Sequence, residues 1–300
     1  MKKSLLIVVV MLISTFAQVL AQAPESMAPP KGLLIVREEI KPGMMGAHSR
    51  HSAHFAEIFN QLQTPNHRIA LVPVAGNENE VIYITPVDSF AEIESINQAT
   101  DNKMGAATGS MRVKLDGLEK EAPSMHNAMR DMWAIYRPEL SFNPGVAIPR
   151  MRYFMITTTR IRPGFDSVYV DYVSKIVNVA RQKAKTDNLH VAVFQVTAGA
   201  PAGTYMIFRP MKSLAELDDP IGVRVRAAMS DDQKKDADKA VRDAIMSSET
   251  SAYAFAPGMS YVEKGFASAD PTFWTPKPQT AMKLKPRKRA PKPPPPPPAN

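Results

Sequence analysis

Cysteine is absent from the 300-residue chain. No disulfide can form, no lipid can be attached to a cysteine at an export cleavage point, and no Cys–His nucleophile is available. No Ser-His-Asp arrangement can be read either. "MGAATGSM" contains glycine but lacks the strand-to-helix pattern of a phosphate loop. Long apolar runs are scarce: the one at Leu5 to Ile13 is broken by Ser14, Thr15 and Gln18 and is short for a membrane span. Stability must come from burying a core, and the chain is long enough to do so.

That apolar run follows Lys2 and Lys3 and precedes Val19-x-Ala21. A charged start, an apolar centre and a small-residue cleavage site make a secretory signal. Residues 1–21 are expected to be removed, with the mature protein periplasmic or secreted from a bacterium. At the other end it is acid that is missing. From Pro276 to Asn300 there are seven Lys or Arg and no Asp or Glu. Setting these aside with Lys2 and Lys3 takes the formal charge from +8 to −1. The body is near neutral, which argues against nucleic acid as its partner. Residues 269–300, dense in proline, are expected to be a disordered, extended tail. Its Lys283, Lys285, Arg287, Lys288, Arg289 and Lys292 offer contact to an anionic envelope surface.

Between these ends the chain repeats itself. "GLLIVREEIKPG" (32–43) matches "YFMITTTRIRPG" (153–164), with Pro42 and Pro163 separated by 121 residues. "RIALVPVAG" answers "HVAVFQVTAG", and Pro86 and Ser89 answer Pro210 and Ser213 at a separation of 124. "SFNPG" is read against "AFAPG" at the ends. Alternating apolar runs closed by Pro-Gly predict strands, and Ser89-x-x-Glu92 and Ser213-x-x-Glu216 predict capped helices. Further helical stretches are expected at 111–133 and 231–248, the first presenting Arg130, Trp133, Tyr136 and Arg137 as a packing stripe. The fold class is α+β: two tandem ferredoxin-like βαββα repeats, 30–148 and 149–268, forming a pseudo-two-fold α/β barrel. An unpaired sheet face in each repeat would be covered by the other.

This order of strand, "KPG" or "RPG", helix, hairpin and capped helix resembles the dimeric α/β-barrel superfamily. That group includes antibiotic-biosynthesis-type monooxygenases and NIPSNAP-like proteins. The resemblance covers both repeats and implies a small-molecule cavity between sheet and helices. Some members oxidise aromatic substrates without a cofactor, and some bind or break down haem. It carries no catalytic signature.

Of the six histidines, three fall in "HSRHSAH". On a helix carrying Phe55, Ile58, Phe59 and Leu62 inward, His48 and His51 share the apolar stripe and His54 lies at its edge. The three spiral, and no further ligand is placed to complete a metal set, so no metal is expected. In the second repeat His48 and His51 become Tyr169 and Tyr172. Polar-tipped rings in both halves predict a pocket wall of His48, His51, Tyr169 and Tyr172 for a small organic ligand. Satisfied core rings are the plainer alternative. Glu39 and Arg160 occupy equivalent strand ends beside it and are candidates to pair, with solvated charges as the alternative. A carboxylate near His48 could orient it as a general base, making His48 and His51 the catalytic candidates.

The expectation is an exported small-molecule-binding protein, open to being a monooxygenase-like enzyme without a cofactor, with no need of an oligomer. Two readings compete with it. One is a non-enzymatic envelope protein tethered by its tail. The other, haem binding through His48 or His51, follows only from the resemblance.

Overall fold

The computed structural model describes residues 27–275. The expected signal and the basic stretch from Pro276 lie outside them. Eight strands close into an antiparallel barrel in the order β1-β3-β2-β8-β5-β7-β6-β4. The first half supplies β1 (Gly32–Ile40), β2 (Ile69–Ala75), β3 (Glu80–Val87) and β4 (His126–Tyr136). The second supplies β5 (Tyr153–Ile161), β6 (Ala192–Ala198), β7 (Thr204–Met211) and β8 (Ile245–Phe255). Each half has the strand order 4-1-3-2, and the barrel closes through two seams, β4 on β6 and β8 on β2. This is the ferredoxin-like dimeric α/β-barrel architecture built within one chain.

Alternation along each strand divides the side chains between two environments. Leu33, Ile35, Phe154, Ile156, Phe194, Phe208 and Phe255 fill the barrel interior. Their neighbours in sequence face outward, where each half lays helices on its own sheet. The first half uses α1 (Met45–Leu62), α2 (Phe90–Gly105) and α3 (Gly109–Met125). In the second half α4 (Asp166–Asp171) continues through a π-helical stretch, Tyr172–Val177, into α5 (Asn178–Lys183). α6 (Ile221–Ala227) and α7 (Asp231–Ala244) complete that layer. Gly43 and Gly164, closing the two Pro-Gly turns, have φ of +80° and +84°, which a residue without Cβ adopts without strain.

The expected helix starts are present with one difference. Ser89 accepts a hydrogen bond from the Glu92 amide and caps α2. Ser213 caps only the 3-10 turn Leu214–Leu217, because Pro220 interrupts the segment and α6 starts after it.

Three expectations require correction. The stretches 111–133 and 231–248 are not helical throughout: helix gives way to strand at His126 and at Ile245. Arg130, Trp133 and Tyr136 therefore lie on β4, where pairing with β1 overrides local helical spacing. "SFNPG" does not correspond to "AFAPG". The equivalent 3-10 turns are Pro138–Leu140 and Pro257–Met259, so Pro138 matches Pro257.

The fold also extends beyond residue 268. α8 (Lys264–Ser268) is followed by α9 (Pro271–Trp274), and Trp274 is only 5% exposed at the end of the barrel core. Its indole donates to Pro149 O at 2.7 Å. Met27 exchanges backbone hydrogen bonds with Val146. Both ends of the described chain thus pack on the linker between the halves.

Candidate functional site

The outward face of β1 carries Leu34, Val36, Glu38 and Ile40. Glu38 is buried there, against α1 and the first residue of β4. His48 Nε2 lies 2.6 Å from Glu38 Oε2, and His126 Nε2 lies 3.2 Å from the same oxygen. The imidazoles of His48 and His126 meet edge to face with centroids 5.1 Å apart. His48, 1% exposed, also has Ser52 Oγ at 3.5 Å. Tyr83 donates to Ser52 Oγ at 2.7 Å, extending a chain of polar contacts from Glu38 to β3.

Desolvation alone would raise the Glu38 carboxyl. The hydrogen bond from His48 and the charges of His48, His126 and Arg68 outweigh burial and hold it below the ordinary carboxylate value. Burial drives the Tyr83 phenol in the opposite direction, well above its usual range, with the Glu38 charge adding to the rise and Arg68 opposing it.

Arg68 lies between this cluster and solvent. Its guanidinium carbon stands 4.3 Å from the Tyr83 ring centroid and 5.1 Å from that of Phe59. Its Nε is buried and has no hydrogen-bond partner, and among the described residues no carboxylate forms a salt bridge with it. It borders a crevice of about 430 Å³ lined by Val36, Asn66, Tyr83, Thr85, Asp131 and Trp133, among others. Asn66 Oδ1 beside it is likewise buried and unpartnered. Arg68, Thr85 and Ile96 also line a second crevice of about 420 Å³ beneath Phe266, so the two are contiguous along the sheet.

The second half is an internal comparison. The strand registers place Thr159 where Glu38 stands, Ile207 at Tyr83 and Ile245 at His126. The helix spacing gives Tyr169 at His48 and Val173 at Ser52. The paired isolated bridges Arg68–Tyr261 and Val191–Phe142 put Val191 at Arg68. There the layer is apolar: Tyr169, Val173, Val191 and Tyr205 pack with Leu140, Phe142 and Ile161. A polar set in one half thus occupies positions that the other half fills mainly with hydrocarbon.

The structure separates the residues expected to form one wall. His48 and His51 belong to the first half, while Tyr169 and Tyr172 pack in the second. A closed barrel puts the helix layers of its two halves outside the sheet, and among the described residues His48 and His51 line no cavity with Tyr169 and Tyr172. His51 is a satisfied core residue, donating from Nε2 to Leu118 O at 2.9 Å and ringed by Phe55. Glu39 is exposed, with Asn127 at 3.5 Å, and Arg160 has a buried Nε without a partner. No salt bridge joins them among the described residues. Arg68 and His126 are not found by sequence reasoning, which places Glu38 at the strand end but selects Glu39 beside it. Comparing outward positions between the repeats marks all three as ionisable where the second half has Thr159, Val191 and Ile245.

No known family and no curated protein matches the sequence. Solved structures do resemble it. A monooxygenase-type protein from Fusobacterium nucleatum is 9% identical over 76% of this chain and 94% of its own, with a TM-score of 0.46. An anthrone oxidase-like protein is 12% identical over 75% and 92%, with a TM-score of 0.46. A mutant chlorite dismutase from Candidatus Nitrospira defluvii, in complex with cyanide, is 8% identical over 80% and 96%, with a TM-score of 0.45. These likenesses concern fold alone. They correct one expectation, that of no cofactor, because chlorite dismutase-like neighbours are haem-binding. In this chain His48 and His51, the imidazoles considered for haem, are turned to Glu38 and to Leu118 O. Neither lines the two crevices. They do not fit an axial-ligand role.

Proposed function

We propose that the protein binds a small organic anion in the crevice of its first half, with Arg68 as the group that recognises the charge. The observation that carries this reading is a guanidinium held on two aromatic rings, its Nε buried without a hydrogen-bond partner and no carboxylate in a salt bridge with it among the described residues, where the other half has Val191. A buried guanidinium N–H without a partner is costly, and an anionic ligand would supply the partner. Leu34, Val36, Ile96 and Trp133 offer apolar surface to the body of such a molecule. Thr85 and Asn97 offer polar contacts, while the Asp131 carboxylate at the crevice can only accept and favours the uncharged, donating end of such a molecule. The ligand class is a carboxylate, phenol or enol held as its anion. Stabilising such an anion is what an enzyme acting on an acidic organic substrate requires.

4-Nitrophenol tests this directly, since its anion absorbs in the visible. The full chain is expected to bind the probe and lower its apparent pKa, and Arg68→Met to weaken binding about 10–100-fold. That range corresponds to one charge-assisted hydrogen bond of about 1.5–3 kcal/mol. An unshifted probe pKa, or equal binding by Arg68→Met, would sink the proposal.

A second reading, attachment to the envelope, rests on the signal-like start and on seven basic side chains without an acid after residue 275. Exported protein should begin near Gln22, and deleting 276–300 should move it from envelope to soluble fractions. An unchanged distribution would refute the attachment.

A further inference from the structure

The crevice does not absorb the group behind it. From the donor set of Glu38, His48 and His126 we infer that the first half holds one divalent first-row transition-metal ion. The inference rests on that triad and not on Arg68.

One carboxylate oxygen and two imidazole nitrogens lie within 4.8 Å of one another, brought from β1, from α1 and from the start of β4. Metal–nitrogen and metal–oxygen bonds of about 2.0–2.2 Å place adjacent donors about 2.8–3.1 Å apart around an octahedral ion and about 3.3–3.6 Å around a tetrahedral one. The 2.6 Å and 3.2 Å separations from Glu38 Oε2 lie about the octahedral spacing and need a small opening for the tetrahedral one. Two imidazoles and a carboxylate, without thiolate, suit zinc or iron(II), and three protein ligands leave coordination positions open.

A second observation concerns where the protons are. His126 Nδ1 lies 2.7 Å from Ala122 O, a carbonyl that can only accept. Nδ1 must therefore carry a proton, which leaves Nε2 as the ring nitrogen turned to Glu38. The Nδ1–carbonyl contact is also the support that orients histidine ligands in metal sites. On the other side, His48 Nδ1 is buried without a partner, so this ring can carry its proton there and release Nε2 to a metal. His126 is only partly buried, which gives an ion a way in.

The competing occupant is a single extra proton, making His126 an imidazolium beside Glu38. Its positive charge would satisfy the same geometry with no affinity for metal. The second half holds neither arrangement: Thr159, Tyr169 and Ile245 stand at these positions, so the expected stoichiometry is one ion per chain.

The test is a titration of the untagged full chain, stripped with chelator, against Zn(II) and separately Co(II). One equivalent should bind, with Co(II) giving d–d bands of nitrogen and oxygen ligation. Glu38→Gln and His126→Gln should each weaken binding at least tenfold, while His54→Gln, on the exposed edge of α1, should leave it unchanged. Thermal melts check that each variant folds. Should Glu38→Gln fail to fold, the partly exposed His126→Gln decides alone. Absence of stoichiometric binding, or affinity unaffected by His126→Gln, would overturn the inference and leave the proton as occupant. Arg68→Met should keep its metal equivalent, so failure of either reading leaves the other standing.

Discussion

Gly199→Ala should lower the stability of the folded chain by at least about 3 kcal/mol, while Gly164→Ala should cost only about 1 kcal/mol. Both residues have φ of +84°, so the backbone penalty for an L side chain is shared. The surroundings differ. A Cβ on Gly164 would meet nothing within 4 Å, whereas on Gly199 it would lie 1.9 Å from the carbonyl oxygen of Asp131 and 2.9 Å from Met132 Cα. These are backbone atoms of β4, and no rotamer change can clear them. Gly199 directly follows β6, whose Ala198 pairs with Trp133 at the seam between the halves. Relief of the clash would require opening that seam, and with it the crevice wall of Asp131, Trp133 and Ala198. Chemical denaturation of the two variants measures the difference. Equal losses would show that the close approach is not maintained in solution.

Trp274→Ala is expected to cost about 3–5 kcal/mol, the range for removing a large buried aromatic side chain. Trp274 packs on Phe255, Phe266 and Phe273 with centroids 5.8, 4.9 and 5.1 Å away. Its loss would leave a void at the end of the barrel core and deprive Pro149 O of its donor. Trp274→Phe keeps most of the packing and loses that hydrogen bond, for about 1 kcal/mol. A chain cut at residue 268 should behave like the alanine variant. If alanine is tolerated within about 0.5 kcal/mol, the segment 264–275 does not seal the barrel.

Trp274 also shows why one boundary was misjudged from sequence. Proline and lysine accumulate from Asp270 onward, and composition alone assigns the whole stretch to the tail. A single tryptophan finding its cavity outweighs that average. The barrel, in contrast, was legible because its signal is duplicated: two Pro-Gly turns, two hairpins and two outward-inward alternations at nearly constant spacing. The helix-to-strand switches at His126 and Ile245 were not, since strand pairing with β1 and β5 decides them and leaves no local mark.

The site was half legible. His48 was read as inward-facing on the helical wheel, and it is. Its partner was not His51 three residues away, which spends its N–H on Leu118 O. The partners are Glu38, ten residues earlier, and His126, 78 residues later, joined to it only when β1 and β4 pair. Strand parity turns Glu38, and not its exposed neighbour Glu39, to the helix-covered face of β1 beside His48. Tyr169 and Tyr172 showed a real equivalence of position, but equivalent positions in a closed barrel lie apart.

The two seams have a further consequence. An assembly of two identical chains must carry every side chain twice, so a charge favourable in one subunit is imposed on the other. Here both halves are written into one polypeptide, and each position can be set independently of its counterpart. Glu38 can be acidic while Thr159 is neutral, and Arg68 can be cationic while Val191 is hydrocarbon. Continuity of the chain thus permits a division of labour: one half can specialise in solid packing beneath its helices, leaving the other to tolerate a polar, unfilled crevice outside the sheet.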